Sequence, residues 1–256
     1  MRFTDQLGDT IELATIPRRI ISLVPSQTEL LYDLGLSPIA QTIFCIHPTA
    51  SFKTAEKIGG TKKLAVSKIR ELKPDLIIGN KEENVREQID ELRSVAPVWM
   101  SDVNTIEDAI DMIQKVGELV GKTDEATALA SRIQDGFNRL LSTSTFARSC
   151  VYLIWEEPLM AVGTRTYIHD VLRYSGYQNL VQEERYPVIT DDDIKALNPD
   201  VILLSTEPFP FKEKHVQAFA KRFPSSRVEL IDAELYSWYG SRMLKLIKHL
   251  TKNSTT

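Results

Sequence analysis

Ile69-Arg70-Glu71-Leu72-Lys73-Pro74-Asp75-Leu76-Ile77-Ile78 returns later in the chain as Ile194-Lys195-Ala196-Leu197-Asn198-Pro199-Asp200-Val201-Ile202-Leu203. Each copy reads as the end of a helix, a proline break and an apolar strand. Proline cannot continue a helix, and a run of Leu, Ile and Val suits a strand covered on both faces. A fainter echo pairs Leu30 to Gly35 with Val171 to Gly176, each a helix end closed by glycine. Two echoes in the same order predict an α/β protein built as two similar lobes.

Outward from these copies the texture alternates between strands and helices, as a parallel sheet requires. Thr4 to Leu13 predicts a hairpin turning at Gly8-Asp9. Arg19 to Val24, Ile39 to Ile43, Asp75 to Gly79 and Pro97 to Met100 predict strands. Glu29 to Leu34, Ser67 to Leu72 and Glu82 to Ser94 predict helices, the first capped by Ser26, Gln27 or Thr28. In the second half the strands are Val151 to Trp155, Met160 to Val162, Val201 to Ser205 and Val228 to Ile231. The helices are Tyr167 to Tyr174, Asp191 to Leu197 and Met243 to Leu250, with fraying expected from Thr251 to Thr256.

The middle differs. From Ile106 to Leu140 the apolar residues keep helical spacing, broken only near Gly121 to Asp124. This predicts two consecutive helices and the division 1–104 (lobe), 105–142 (long, rigid connecting helical segment) and 143–256 (lobe). Two such lobes leave a ligand cleft between them, and in open α/β sheets ligands sit at the carboxyl ends of the strands.

Composition narrows the function classes. The 256 residues carry 31 basic and 35 acidic side chains, a net charge of −4, so a nucleic-acid partner is not expected. No apolar run reaches the roughly 18 residues of a membrane span. The N-terminus lacks the apolar core of a signal peptide, so an intracellular location stays open beside an exported one. Cys45 and Cys150 form neither a disulfide framework nor a zinc knuckle, although a single bridge between them stays open. The common enzyme motifs are missing. Gly117 to Thr123 imitates a phosphate-binding loop but is one residue short and ends a helix rather than following a strand.

Candidate site residues cluster after predicted strands. Cys45 and His47, two apart in an extended segment, would point to one side and could ligate a metal-centred compound, with His47 the candidate metal ligand. Lys81 follows the third strand. Trp155 and Glu156 follow the first strand of the second lobe, Glu207 lies beyond the second echo, and Trp238 and Tyr239 follow the last strand. Aromatic groups in such loops predict a flat, partly apolar ligand held by stacking and a few polar contacts.

From Arg19-Ile20-Ile21-Ser22-Leu23-Val24-Pro25-Ser26-Gln27-Thr28-Glu29-Leu30-Leu31, through Ile58-Gly59-Gly60 and both echoes, to Trp155-Glu156-Glu157-Pro158-Leu159-Met160-Ala161-Val162-Gly163, the chain resembles the class III periplasmic-binding-type proteins, the helical-backbone metal receptors. The resemblance spans residues 3 to 250 and is nearest the cobalamin-binding branch. It implies a monomeric, non-enzymatic solute-binding protein with no intrinsic cofactor. Such a protein captures cobalamin or a similar chelate (a corrinoid, haem or ferric siderophore) with little hinge motion, in the periplasm or at the cell surface, for an ABC importer. It further implies docking to the permease through an acidic residue on each lobe. Asp192 fills that position in the second lobe, whereas the first lobe has Ser67-Lys68. The alternative reading is an intracellular tetrapyrrole- or metal-binding protein, or a chelatase-like enzyme on the same scaffold with His47 as its base.

Overall fold

The computed structural model describes residues 1–143 and 148–253. The chain divides into two compact units. The first holds Met1–Val103, Glu107–Gln134 and Tyr239–Met243; the second holds Asn104–Ile106, Asp135–Trp238 and the chain from Leu244 onward.

In the first unit β1 (Arg2–Thr4) and β2 (Thr10–Glu12) form the antiparallel hairpin. Then follow β3 (Ile20–Ser22), α1 (Pro25–Asp33), β4 (Ala40–Gln41), α2 (Thr49–Thr54), β5 (Glu56–Lys57), α3 (Val66–Glu71), β6 (Leu76–Asn80), α4 (Arg86–Leu92) and β7 (Val98–Ser101). The sheet runs β5-β4-β3-β6-β7, and every pairing is parallel. Helices α5 (Ile106–Leu119) and α6 (Thr123–Thr143) come next, α6 contributing residues to both units. The second unit continues with β8 (Arg148–Trp155), β9 (Met160–Ala161), α7 (Tyr167–Tyr174), β10 (Tyr177–Asn179), α8 (Asp191–Leu197), β11 (Val201–Ser205), α9 (Glu213–Arg222), β12 (Arg227–Ile231), α10 (Ala233–Ser237) and α11 (Met243–Asn253). Its strands run parallel in the order β10-β8-β11-β12, with β9 antiparallel to β8.

The two sheets share one connectivity. A central strand leads through a helix to a neighbour on one side (β3-α1-β4 and β8-α7-β10). Two further helix-strand steps then build the other side (α3-β6-α4-β7 and α8-β11-α9-β12). The sequence echo is thus a structural repeat. Its turns agree residue by residue, since Lys73 and Asn198 both sit at φ 46°, in the left-handed region. The following aspartates also do equivalent work. Asp75 accepts the Arg18 and Arg19 backbone N–H groups, both at 2.8 Å, at the start of β3. Asp200 accepts the Ser149 N–H at 2.9 Å and its hydroxyl at 2.7 Å near the start of β8. Each carboxylate therefore satisfies donors at the beginning of the neighbouring central strand.

Separate cores fill the units. Ile21, Leu23, Ile58, Ile69, Ile77 and Leu92 anchor the first; Val151, Leu153, Ile194, Ile202, Leu204 and Phe219 anchor the second. The glycines inside the long helices mark close approaches. A Cβ on Gly117 of α5 would lie 2.1 Å from the Ala126 Cβ of α6, and one on Gly136 would lie 2.6 Å from the tip of Ile247 on α11. Leu119 ends α5, and a new helix starts at Thr123, so the phosphate-loop imitation is a helix-to-helix turn.

Several expectations are corrected. Helix α1 begins at Pro25, with Val24 as a cap that contributes no side-chain hydrogen bond, so Ser26, Gln27 and Thr28 are buried first-turn residues rather than caps. Proline is suited to that first position because its fixed φ is helical and no N–H is lost. Helix α4 begins at Arg86 rather than Glu82, because the Asn80 side chain accepts the Glu82 and Glu83 N–H groups and holds a turn there. Helix α11 extends through Asn253, past the expected onset of fraying at Thr251; Ser254 to Thr256 lie outside the described residues.

Candidate functional site

The carboxyl ends of the second sheet carry an aromatic group. Strand β8 delivers Trp155, whose side chain is 38% exposed. Its indole Nε1 donates to the Glu157 carbonyl at 3.0 Å, which fixes the ring at the strand's end. The ring meets Phe209 edge to face, with centroids 5.7 Å apart. Phe209 lies in the loop after β11, and its N–H reaches the Ile154 carbonyl of β8 at 3.3 Å. Behind it Phe211 (4.7 Å) and His215 (5.6 Å) complete the cluster. Edge-to-face pairs of this kind gain on the order of 1 kcal/mol beyond area burial.

His215 sits in the first turn of α9. Nδ1 accepts the Lys212 N–H at 2.7 Å, so in the neutral ring the hydrogen is on Nε2. Nε2 lies 3.7 Å from the Glu156 carboxylate. This histidine brings the start of α9 close to Glu156, the residue next to Trp155. It is not among the candidate residues that the sequence points to. Its signal was weak: a phenylalanine-rich loop followed by a polar group at the third position of a new helix.

The other predicted residues of this unit are less closely joined. Glu207 is exposed in the β11 loop, where its carbonyl accepts the Ser205 hydroxyl at 2.5 Å. Trp238 is half-buried and follows α10, a helix between it and β12 that was not anticipated. Asp192 is exposed in the first turn of α8, 3.0 Å from Lys195.

In the first unit Cys45 and His47 differ in burial. Cys45 is fully buried, its sulfur 3.1 Å from both the Thr28 and Thr42 hydroxyls, and burial pushes its thiol pKa up. His47 is half-exposed. The chain turns at Ile43-Phe44, just before this pair. Cys150 is likewise a free, buried thiol, pushed up to about 12 by burial. Lys81 pairs with Asp102 at 2.6 Å. Tyr239 is buried in this unit beside Ser26 and Ser101, and burial raises its phenol pKa. The exposed aromatic at the carboxyl ends here is one the sequence reading missed. Phe44 is 53% exposed and follows β4 beside the exposed Ile43, against Gly60.

A buried ion pair stabilises this unit. Arg242 donates to both Glu29 oxygens, at 2.7 and 3.0 Å, and each side chain is 6% exposed. The pair fastens the turn Gly240–Arg242 onto α1. In the α3 position equivalent to Asp192 stands Ser67, and the adjacent Lys68 is paired with Glu56. Among the described residues no three His, Cys, Asp or Glu side chains converge on a metal-ion position, and no helix is long and apolar enough to cross a membrane.

Three comparisons locate this geometry among known proteins. The Vitamin B12-binding protein of Yersinia pestis (strain Pestoides F) is 26% identical over 208 residues, covering 76% of this chain and 73% of that protein. The periplasmic heme-binding protein HutB of Vibrio cholerae superimposes with a TM-score of 0.78 at 18% identity, covering 93% of this chain and 97% of that one. The siderophore-binding protein BauB, bound to acinetobactin and ferric iron, gives a TM-score of 0.81 at 18% identity, covering 99% and 98%. The periplasmic binding protein family model matches residues 20–226, from the first central strand to the loop before β12, and the chain belongs to that family.

Proposed function

We propose that this protein is a solute-binding component of an ABC importer that captures a metal chelate, with a corrinoid such as cobalamin as the first candidate and haem or a ferric siderophore as related cargo. The observation that carries this reading is the Trp155–Phe209 face, an exposed aromatic surface set on a rigid strand end within a family of binding proteins. An aromatic face gives a conjugated macrocycle large contact area at small entropic cost. The metal enters already held by its chelator. Cys45, sealed among hydroxyls, has a structural role in this proposal.

The vitamin B12-binding relative, with the haem- and siderophore-binding neighbours, supports the ligand class. Export from the cytoplasm and permease contact through the exposed Asp192 belong to the same proposal. Calorimetric titration with cyanocobalamin, hemin and a ferric siderophore tests it, together with absorbance spectra of each mixture. Saturable, stoichiometric binding of one chelate is expected. Absence of binding to all three would overturn the reading.

A further inference from the structure

Glu156 differs from the other polar groups around the aromatic face. It is half-buried, follows Trp155 directly, and has its carboxylate 3.7 Å from the His215 Nε2. His215 cannot swing away without giving up the 2.7 Å bond it accepts from the Lys212 N–H. Phe209 and Phe211 pack against the imidazole at 5.6 and 5.5 Å. The carboxylate thus lies beside the aromatic cluster, within ion-pair distance of an imidazole that is itself fixed, and a group that selects a ligand needs such a support. Glu157 is exposed next to Glu156, and the loop from Thr206 to Lys212 adds Glu207 against one lysine.

We propose that Glu156, positioned by His215, is the specificity-determining residue of this face: it selects chelates whose rim donates hydrogen bonds and rejects those whose rim carries carboxylates. A macrocycle edged with primary amides offers N–H donors that a carboxylate accepts strongly, because one partner is charged. A macrocycle edged with carboxylates would set like charges together in a partly desolvated site, which is the repulsive half of specificity. The inference rests on the chelate-binding reading and narrows it to amide-edged corrinoids over carboxylate-bearing porphyrins.

The test uses two probes that share one ring: cyanocobalamin, and its monocarboxylic acid derivatives in which one peripheral amide is a carboxylate. The native protein is expected to prefer the amide form by about tenfold or more for at least one derivative. Glu156→Gln should shrink that preference to about twofold or less. His215→Asn keeps an acceptor for the Lys212 N–H but loses the contact to Glu156, and should shrink it partially. Thermal melting of each variant shows whether the fold is intact. Equal affinity of the native protein for both forms, or an unchanged ratio in Glu156→Gln, overturns the proposal and leaves the chelate-binding reading standing. Failure to bind either form overturns both.

Discussion

The two copies of the helix-turn-strand module agree in their frame and differ in their ends. Both turns place a non-glycine residue at φ 46°, and both aspartates hold a central strand. Beyond β6, asparagine side chains close the chain into a tight polar turn, Asn80 accepting from Glu82 and Glu83 while Asn84 accepts from Asn80. Beyond β11, at the same place in the repeat, stands the loop that brings Phe209 to Trp155 and leads into His215. The frame is repeated because the buried strands impose it. The loops carry no such constraint, and their side chains diverge there.

The sharpest way to break the comparison is to remove a support that belongs to the first unit. Arg242→Ala leaves the Glu29 carboxylate buried without its guanidinium and should cost about 3–5 kcal/mol in denaturant unfolding. A loss below about 1 kcal/mol would show that the pair is dispensable. Next come the paired glycines. Gly117→Ala forces a methyl against the Ala126 Cβ, which has no rotamer to escape through, and should destabilise by about 1–3 kcal/mol. Gly136→Ala meets the movable end of Ile247 and should cost less. The reverse order would contradict the packing described.

A smaller effect separates the two turns. A lysine at positive φ is strained where asparagine is tolerated. Arg19 compensates in the first copy by donating to the Leu72 and Lys73 carbonyls at 2.5 and 3.0 Å. Lys73→Gly should therefore raise stability by about 0.5–1 kcal/mol, measured by thermal melting.

The smallest effect is a pH dependence. Ser149, through its hydroxyl and its backbone N–H, holds the Asp200 carboxyl below the usual carboxylate range. A depressed folded-state pKa gives stability that is present above the ordinary carboxylate value and is lost as pH falls through the folded one. Asp200→Asn should flatten the acid limb of the stability profile, and an unchanged limb would remove Asp200 from the account.

How much was legible follows from how local each signal is. The strands β6 and β11 were readable because burial on both faces demands a continuous apolar run. Helix α9 was missed because its charged residues leave Val216 and Phe219 as a narrow apolar stripe, and the pull of that stripe comes from a core contributed by other elements. The burial of Cys45 among hydroxyls involves Thr28, a residue of α1 that comes into contact only on folding. The partnership of Trp155 with Phe209 and of Glu156 with His215 joins segments far apart in sequence, which no local pattern encodes. The place of Trp155 at the end of β8 was legible, because it follows directly on a buried apolar run.

In the function proposed above this exposed face binds the chelate, and titration of single tryptophan variants tests it. Cyanocobalamin is titrated into the native protein, Trp155→Ala and Trp238→Ala, with affinity taken from calorimetry and quenching from tryptophan fluorescence. The account predicts that Trp155→Ala weakens binding by about 1–3 kcal/mol, as for other buried aromatic contacts, and loses part of the quenching signal. Native affinity retained in Trp155→Ala, with the fold intact by thermal melting, would contradict it.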